Sequence, residues 1–62
     1  MRAYMVIAQR VKEIGISKAE LARRVKMKDE LLRRSLEGTR KITAEEFIRL
    51  CKELNLTLSN FR

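Results

Sequence analysis

SKAELARRVKMKDELLRRSLEG, residues 17–38, is the stretch on which the fold turns. It opens with Ser17-Lys18-Ala19-Glu20, the S-x-x-E pattern in which a hydroxyl and a carboxylate each satisfy a backbone donor left free at a helix start. Leu21, Ala22 and Val25 follow at helical spacing and make one apolar face. That face then breaks. Met27 begins a new register whose next members are Leu32, Ser35 and Leu36, so the spacing predicts a helix ending at Lys26 and another over about Lys28 to Glu37. Gly38 closes the latter with the left-handed residue that a helix end commonly uses. Two short helices joined by a tight turn suit many folds, and the residue types at the joint say more. Ala22 is small where one helix must let the other cross closely, while Leu21, Val25, Met27 and Leu32 are the larger groups that lock the crossing.

Outward from this pair the same signals recur. Ile7, Val11 and Ile14 place a first helix over about Ala3 to Glu13, stopped by Gly15. Thr43-Ala44-Glu45-Glu46 is a second capping box, opening a helix with Phe47, Leu50, Cys51 and Leu54 on one side and Asn55 as its C-terminal cap. Residues Leu56 to Phe61 read as a turn or short helix that lays apolar side chains over the bundle. There is no linker, repeat or low-complexity segment. The expectation is an all-α chain, a compact bundle of four to five helices forming one domain over residues 1–62.

Composition narrows the function. A chain of 62 residues buries only about 60% of its unfolded surface, so its core must be locally connected. Cys51 is the single cysteine, which excludes an internal disulfide, and the absence of histidine leaves neither an ordinary zinc set nor an imidazole base. No cofactor or metal is implied, and a nucleophilic role for Cys51 lacks its base. The chain reads as a binding protein, not an enzyme. No apolar run approaches the roughly 20 residues that span a bilayer, and nothing resembles a signal peptide, so a cytoplasmic, reducing compartment is expected. The net charge of +7 and pI near 10.4 point to an anionic partner. The charge is uneven: residues 17–41 carry 9 bases and 4 acids, whereas residues 42–62 carry 3 of each. Tyr4, Phe47 and Phe61 are too few and too scattered for a base-stacking platform, which leaves them as core.

The run from Arg10-Val11-Lys12-Glu13 through Lys18-Ala19-Glu20-Leu21-Ala22 to Glu37-Gly38-Thr39-Arg40-Lys41, with Thr43-Ala44-Glu45-Glu46-Phe47 after it, resembles the phage-repressor (Cro/cI, XRE-like) helix-turn-helix family over nearly the whole chain. The resemblance implies a lambda-repressor-like domain that binds double-stranded DNA, its third helix in the major groove and its second across the phosphate backbone. On this alignment Asp29, Glu30, Arg33 and Arg34 hold the base-contacting positions. Ser17, Lys18, Lys28, Thr39, Arg40 and Lys41 fall where phosphate is gripped. Four departures stand out. Lys18 replaces a usual glutamine, Lys26 a usual glycine in the turn, Asp29 and Glu30 the usual glutamine, serine or threonine, and Glu37 a common asparagine. The family implies a small transcriptional regulator, nucleoid-associated when bound, as a monomer or weak homodimer; the tidiness of caps and charge pairs also suits a redesigned scaffold.

Two carboxylates amid so much positive charge need a reason. Asp29 precedes Arg33 by four residues and Glu30 precedes Arg34 by four, and both acids lie in the first turn of their helix, where its dipole favours them. They either stabilise a helix whose cap position, Lys28, is poor, or hold two arginines toward guanine edges while one accepts from a cytosine amino group. Leu31 is set to touch a thymine methyl or to be partly buried. The rival function is a protein-interaction module presenting Leu31, Leu56, Leu58 and Phe61 to a partner chain.

Overall fold

Each helix begins at a residue with extended backbone and, with one exception, ends at a residue in the left-handed region. The computed structural model describes residues 2–61. They form α1 (Ala3–Ile14), α2 (Lys18–Arg24), α3 (Asp29–Glu37), α4 (Ala44–Leu54) and a terminal 3-10 turn over Leu58–Phe61. The exception is α2. It stops at Arg24, two residues before the expected Lys26, because Val25 already leaves helical geometry and Lys26 turns left-handed at φ 60°. The amide of Met27 donates to Ala22 O at 2.8 Å and that of Lys26 to Arg23 O at 3.3 Å, the paired bonds of a Schellman turn. Gly38 after α3 and Asn55 after α4 close with the same pair of bonds, from Thr39 to Arg34 and from Leu56 to Cys51 for the longer one.

The apolar faces meet in one core. Ile7 and Val11 of α1, Leu21 and Ala22 of α2, Val25 at its end, Leu32 and Leu36 of α3, Leu50 and Leu54 of α4, and Leu56 are all buried in a single cluster. Leu21, Ala22 and Leu32 are wholly inaccessible at the α2–α3 crossing, as the sequence predicts. Two long-range polar contacts tie the bundle: Arg10 Nε donates to Leu54 O at 3.0 Å, and Arg24 on α2 pairs with Glu53 on α4 at 3.1 Å. The radius of gyration is 10.3 Å, against about 10.6 Å for a well-packed chain of this length.

The tail covers the bundle only in part. Leu56 is buried, and Phe61 packs on Phe47 with ring centroids 5.1 Å apart. Leu58, however, is 80% exposed. Leu31 and Phe61 are half-buried, so the four residues of the rival partner surface do not make one open apolar face. Gly38 has two reasons to be glycine. Its φ is 84°, and a Cβ there would fall 2.5 Å from Cζ of Tyr4, whose ring lies flush on the loop backbone.

Two substitutions test this geometry. Ala22→Leu overpacks the crossing and should cost about 1–3 kcal/mol, read as a lowered thermal midpoint; an unchanged midpoint means that the helices do not cross there. Lys26→Gly relieves a left-handed side chain but frees the unfolded chain, so stability should rise by no more than about 1 kcal/mol. A marked loss in that variant contradicts the turn as drawn.

Candidate nucleic-acid interface

α3 presents one apolar and one charged side. Leu32, Ser35 and Leu36 face the core, while Asp29, Glu30, Arg33, Arg34 and Glu37 are exposed. The helix starts at Lys28, whose extended backbone (φ -74°, ψ 144°) precedes the first turn without any side-chain cap. Asp29 and Glu30 compensate by sitting at the positive end of the helix dipole.

The ion pairs on this face differ from the two i, i+4 pairs that the spacing predicts. Glu30 holds both arginines: Oε1 lies 2.5 Å from Nη2 of Arg33 and Oε2 lies 3.0 Å from Nη2 of Arg34. Arg33 also reaches Glu37 at 3.5 Å. Asp29 has no ion-pair partner among the described residues, so its expected bond to Arg33 does not form. Glutamate has one more methylene of reach, and two glutamates already occupy that guanidinium. The hydrogen bond and charge of Arg33 lower the Glu30 pKa, and Glu30 raises that of Arg33.

The loop after α3 is pinned by a contact that sequence spacing did not suggest. Arg40 meets Glu46 side by side, Nη1 to Oε1 at 2.9 Å and Nη2 to Oε2 at 3.0 Å, and Nη1 also donates to Ser35 Oγ at 3.0 Å. The Ser35 hydroxyl in turn donates to Leu31 O at 2.8 Å. A single part-buried network thus joins α3, the loop and the start of α4. Glu46 also completes the Thr43 capping box, accepting from Thr43 N at 3.0 Å while Thr43 Oγ1 accepts from Glu46 N at 3.2 Å. The double hydrogen bond from Arg40 pulls the Glu46 pKa down to about 2. A buried serine on the apolar face of α3 was the available signal that a polar partner would arrive there.

The Ser17 box forms only by half. Ser17 Oγ accepts from Glu20 N at 3.1 Å, but the Glu20 carboxylate pairs with Arg23 and Arg24 and does not turn back to the Ser17 amide. The Ser17 hydroxyl acts here only as an acceptor, so its proton is engaged by no group among the described residues. Thr39 Oγ1 donates to Arg34 O at 3.2 Å, which engages its proton within the loop. Lys18, Lys28 and Lys41 are exposed and carry no ion pair among the described residues. Arg2, not singled out in the sequence, and Tyr4, expected in the core but only half-buried, line a shallow groove with the loop from Gly38 to Ile42.

A division of labour follows between the two basic residue types. Every arginine from Arg10 to Arg49 is paired with a glutamate, and no lysine is paired with a carboxylate among the described residues. The uncompensated positive charge is thus mostly lysine, and Lys18, Lys26, Lys28 and Lys41 lie at the start of α2, in the turn, at the start of α3 and in the loop after it.

The helix-turn-helix family model matches residues 7–61. The chain belongs to that family, as a Cro/cI-like (XRE) domain, and is in general terms a DNA-binding helix-turn-helix regulator. Searches of curated proteins and of solved structures give no match. No helix among the described residues is long and apolar enough to cross a membrane.

The Arg40–Glu46 pair gives a pH test. Because the Glu46 pKa is depressed in the folded chain, its stabilisation is present above about pH 4.5 and disappears as pH falls toward 2. Glu46→Gln should therefore flatten the loss of stability between those values, and Arg40→Ala should lower stability at neutral pH and flatten the same acid dependence. Denaturant melts at pH 7, 4 and 2.5 measure both, and equal acid sensitivity in Glu46→Gln contradicts the pairing.

Proposed function

We propose that the chain recognises a short site in double-stranded DNA through the major groove and acts there as a small transcriptional regulator. α3 lies along the groove floor, and α2 crosses the backbone at its N-terminal end. The arrangement of unpaired lysines carries this reading: Lys18, Lys28 and Lys41 bracket the charged face of α3. Lysine is a compact, flexible point charge that suits phosphate at any sequence. The Ser17 hydroxyl, its proton engaged by no group among the described residues, and the exposed Arg2 add to the same backbone grip. Arg40 and Thr39 contribute differently. Arg40 is three-quarters covered and already bonded on two sides, so it holds the loop in place and meets phosphate only with its remaining exposed edge. Thr39 offers its oxygen and its loop position, its proton being engaged by Arg34 O.

On the base side, Arg33 and Arg34 are the donors suited to guanine O6 and N7, and Asp29 and Glu30 are the acceptors suited to a cytosine amino group. Arg33 is bracketed by Glu30 and Glu37, whereas Arg34 is held by one carboxylate oxygen alone. Arg34 is therefore the more readily released base reader. One domain supplies one such helix, and a monomer or weak homodimer serves the reading equally.

Base and phosphate contacts separate experimentally. Arg34→Ala should weaken the preferred duplex by about 1–3 kcal/mol and relax preference at one base pair. Lys41→Ala should weaken all duplexes alike and lower the magnitude of the salt slope by about one. Titrations of both variants on preferred and scrambled duplexes at several salt concentrations decide the matter. Salt-independent binding would instead favour an apolar partner.

A further inference from the structure

We propose that Glu30 determines specificity by competing with DNA for Arg34, so that α3 settles in the groove only where a G·C pair offers guanine to Arg34 and a cytosine amino group to the vacated carboxylate oxygen. This rests on the groove placement of α3 and adds to it the chemical class of the preferred site.

The charge of α3 comes first. Asp29, Glu30 and Glu37 outnumber Arg33 and Arg34 on its exposed side, so the reading helix is net negative in a chain of net charge +7. Phosphate does not draw it in. Attraction to the duplex comes from the unpaired lysines around it, and the carboxylates oppose close approach at any sequence that does not satisfy them. Such an arrangement lowers binding to arbitrary DNA and leaves discrimination to α3.

The geometry then assigns roles to single atoms. Oε1 of Glu30 is fixed by Arg33 at 2.5 Å, and Arg33 is itself steadied by Glu37 at 3.5 Å on the next turn. Arg33 is thus a positioning residue for the carboxylate. Oε2 of Glu30 touches only Arg34, at 3.0 Å. Arg34 and Glu30 are both about half exposed, and ion pairs of that kind are weak enough to exchange for another partner. On a matched site one hydrogen bond is replaced by two kinds: the Arg34 guanidinium turns to guanine O6 and N7, and Oε2 accepts from cytosine N4. On an A·T pair the arginine finds only one purine acceptor, N7, beside an amino donor that opposes it. Release of Arg34 then gains little, and the Glu30 pair stays closed.

Replacement of Glu30 distinguishes this from a role in helix stability. The intact chain is used to select duplexes from a random pool, and dissociation constants are measured on the recovered duplex, on its single-pair G·C to A·T variants and on a scrambled duplex. Wild type, Glu30→Gln, Glu30→Ala and Arg34→Ala are compared. The quantity read is the ratio of affinities between duplexes, from which any loss of folded protein cancels. Both Glu30 variants should bind scrambled DNA several-fold more tightly and lose about tenfold in discrimination at one G·C pair. Arg34→Ala should lose the same discrimination with no gain on scrambled DNA. If wild type is selective but both Glu30 variants keep its ratios within twofold, or weaken all duplexes equally, Glu30 only stabilises the helix and the competition model is overturned while the groove placement stands. If wild type enriches no duplex, the groove placement itself fails and the inference with it.

Discussion

The turn between α2 and α3 sets the direction of every side chain on α3. A left-handed Lys26 lets the Met27 amide reach back to Ala22 O, and this single 2.8 Å bond reverses the chain within three residues. Ala22 can then be both the carbonyl that closes the turn and the small side chain over which α3 crosses. With Leu21 and Leu32 sealed on either side, the direction of α3 is set by packing that tolerates little change of volume. Everything exposed on α3 inherits that direction.

A second network secures the other end of α3. Gly38 allows the loop to lie against Tyr4, and Arg40 fastens it to Ser35 and Glu46. α3 is therefore held at its start by a backbone turn and at its end by a part-buried ion pair. The other arginines from Arg10 to Arg49 serve a related purpose on the surface: each is matched by a glutamate within its helix or on a neighbouring one. Lysine is left as the charge that reaches outward. In a domain of this size, with a modest core, such pairing keeps the arginine heads ordered while adding little net stability per exposed pair.

Much of this was legible in the sequence, for identifiable reasons. Helix ends marked by Gly15, Ser17, Gly38, Thr43 and Asn55 fall within a residue or so of their expected places, because each marker satisfies a backbone group or adopts a left-handed φ. α2 ends at Arg24 and not at the expected Lys26, an end that no glycine signals and that lysine's propensity for helix interiors conceals. Charge partners were harder. Spacing along one helix allows Glu30 to reach at i+3 as well as i+4, and only three-dimensional packing shows that it takes both arginines and leaves Asp29 aside. In the sequence Arg40 reads as a free loop cation because a capping box already accounts for its partner Glu46. One carboxylate performing two tasks cannot be read from a motif that assigns it one.

Whether α3 occupies the major groove of a defined duplex is decided by methylation interference on a selected duplex. Methylation at guanine N7 blocks the major-groove edge, and methylation at adenine N3 blocks the minor-groove edge. With α3 in the major groove, N7 methylation of guanines within one short stretch abolishes binding while N3 methylation there has no effect. Binding lost only on N3 methylation, or indifferent to both, would contradict it.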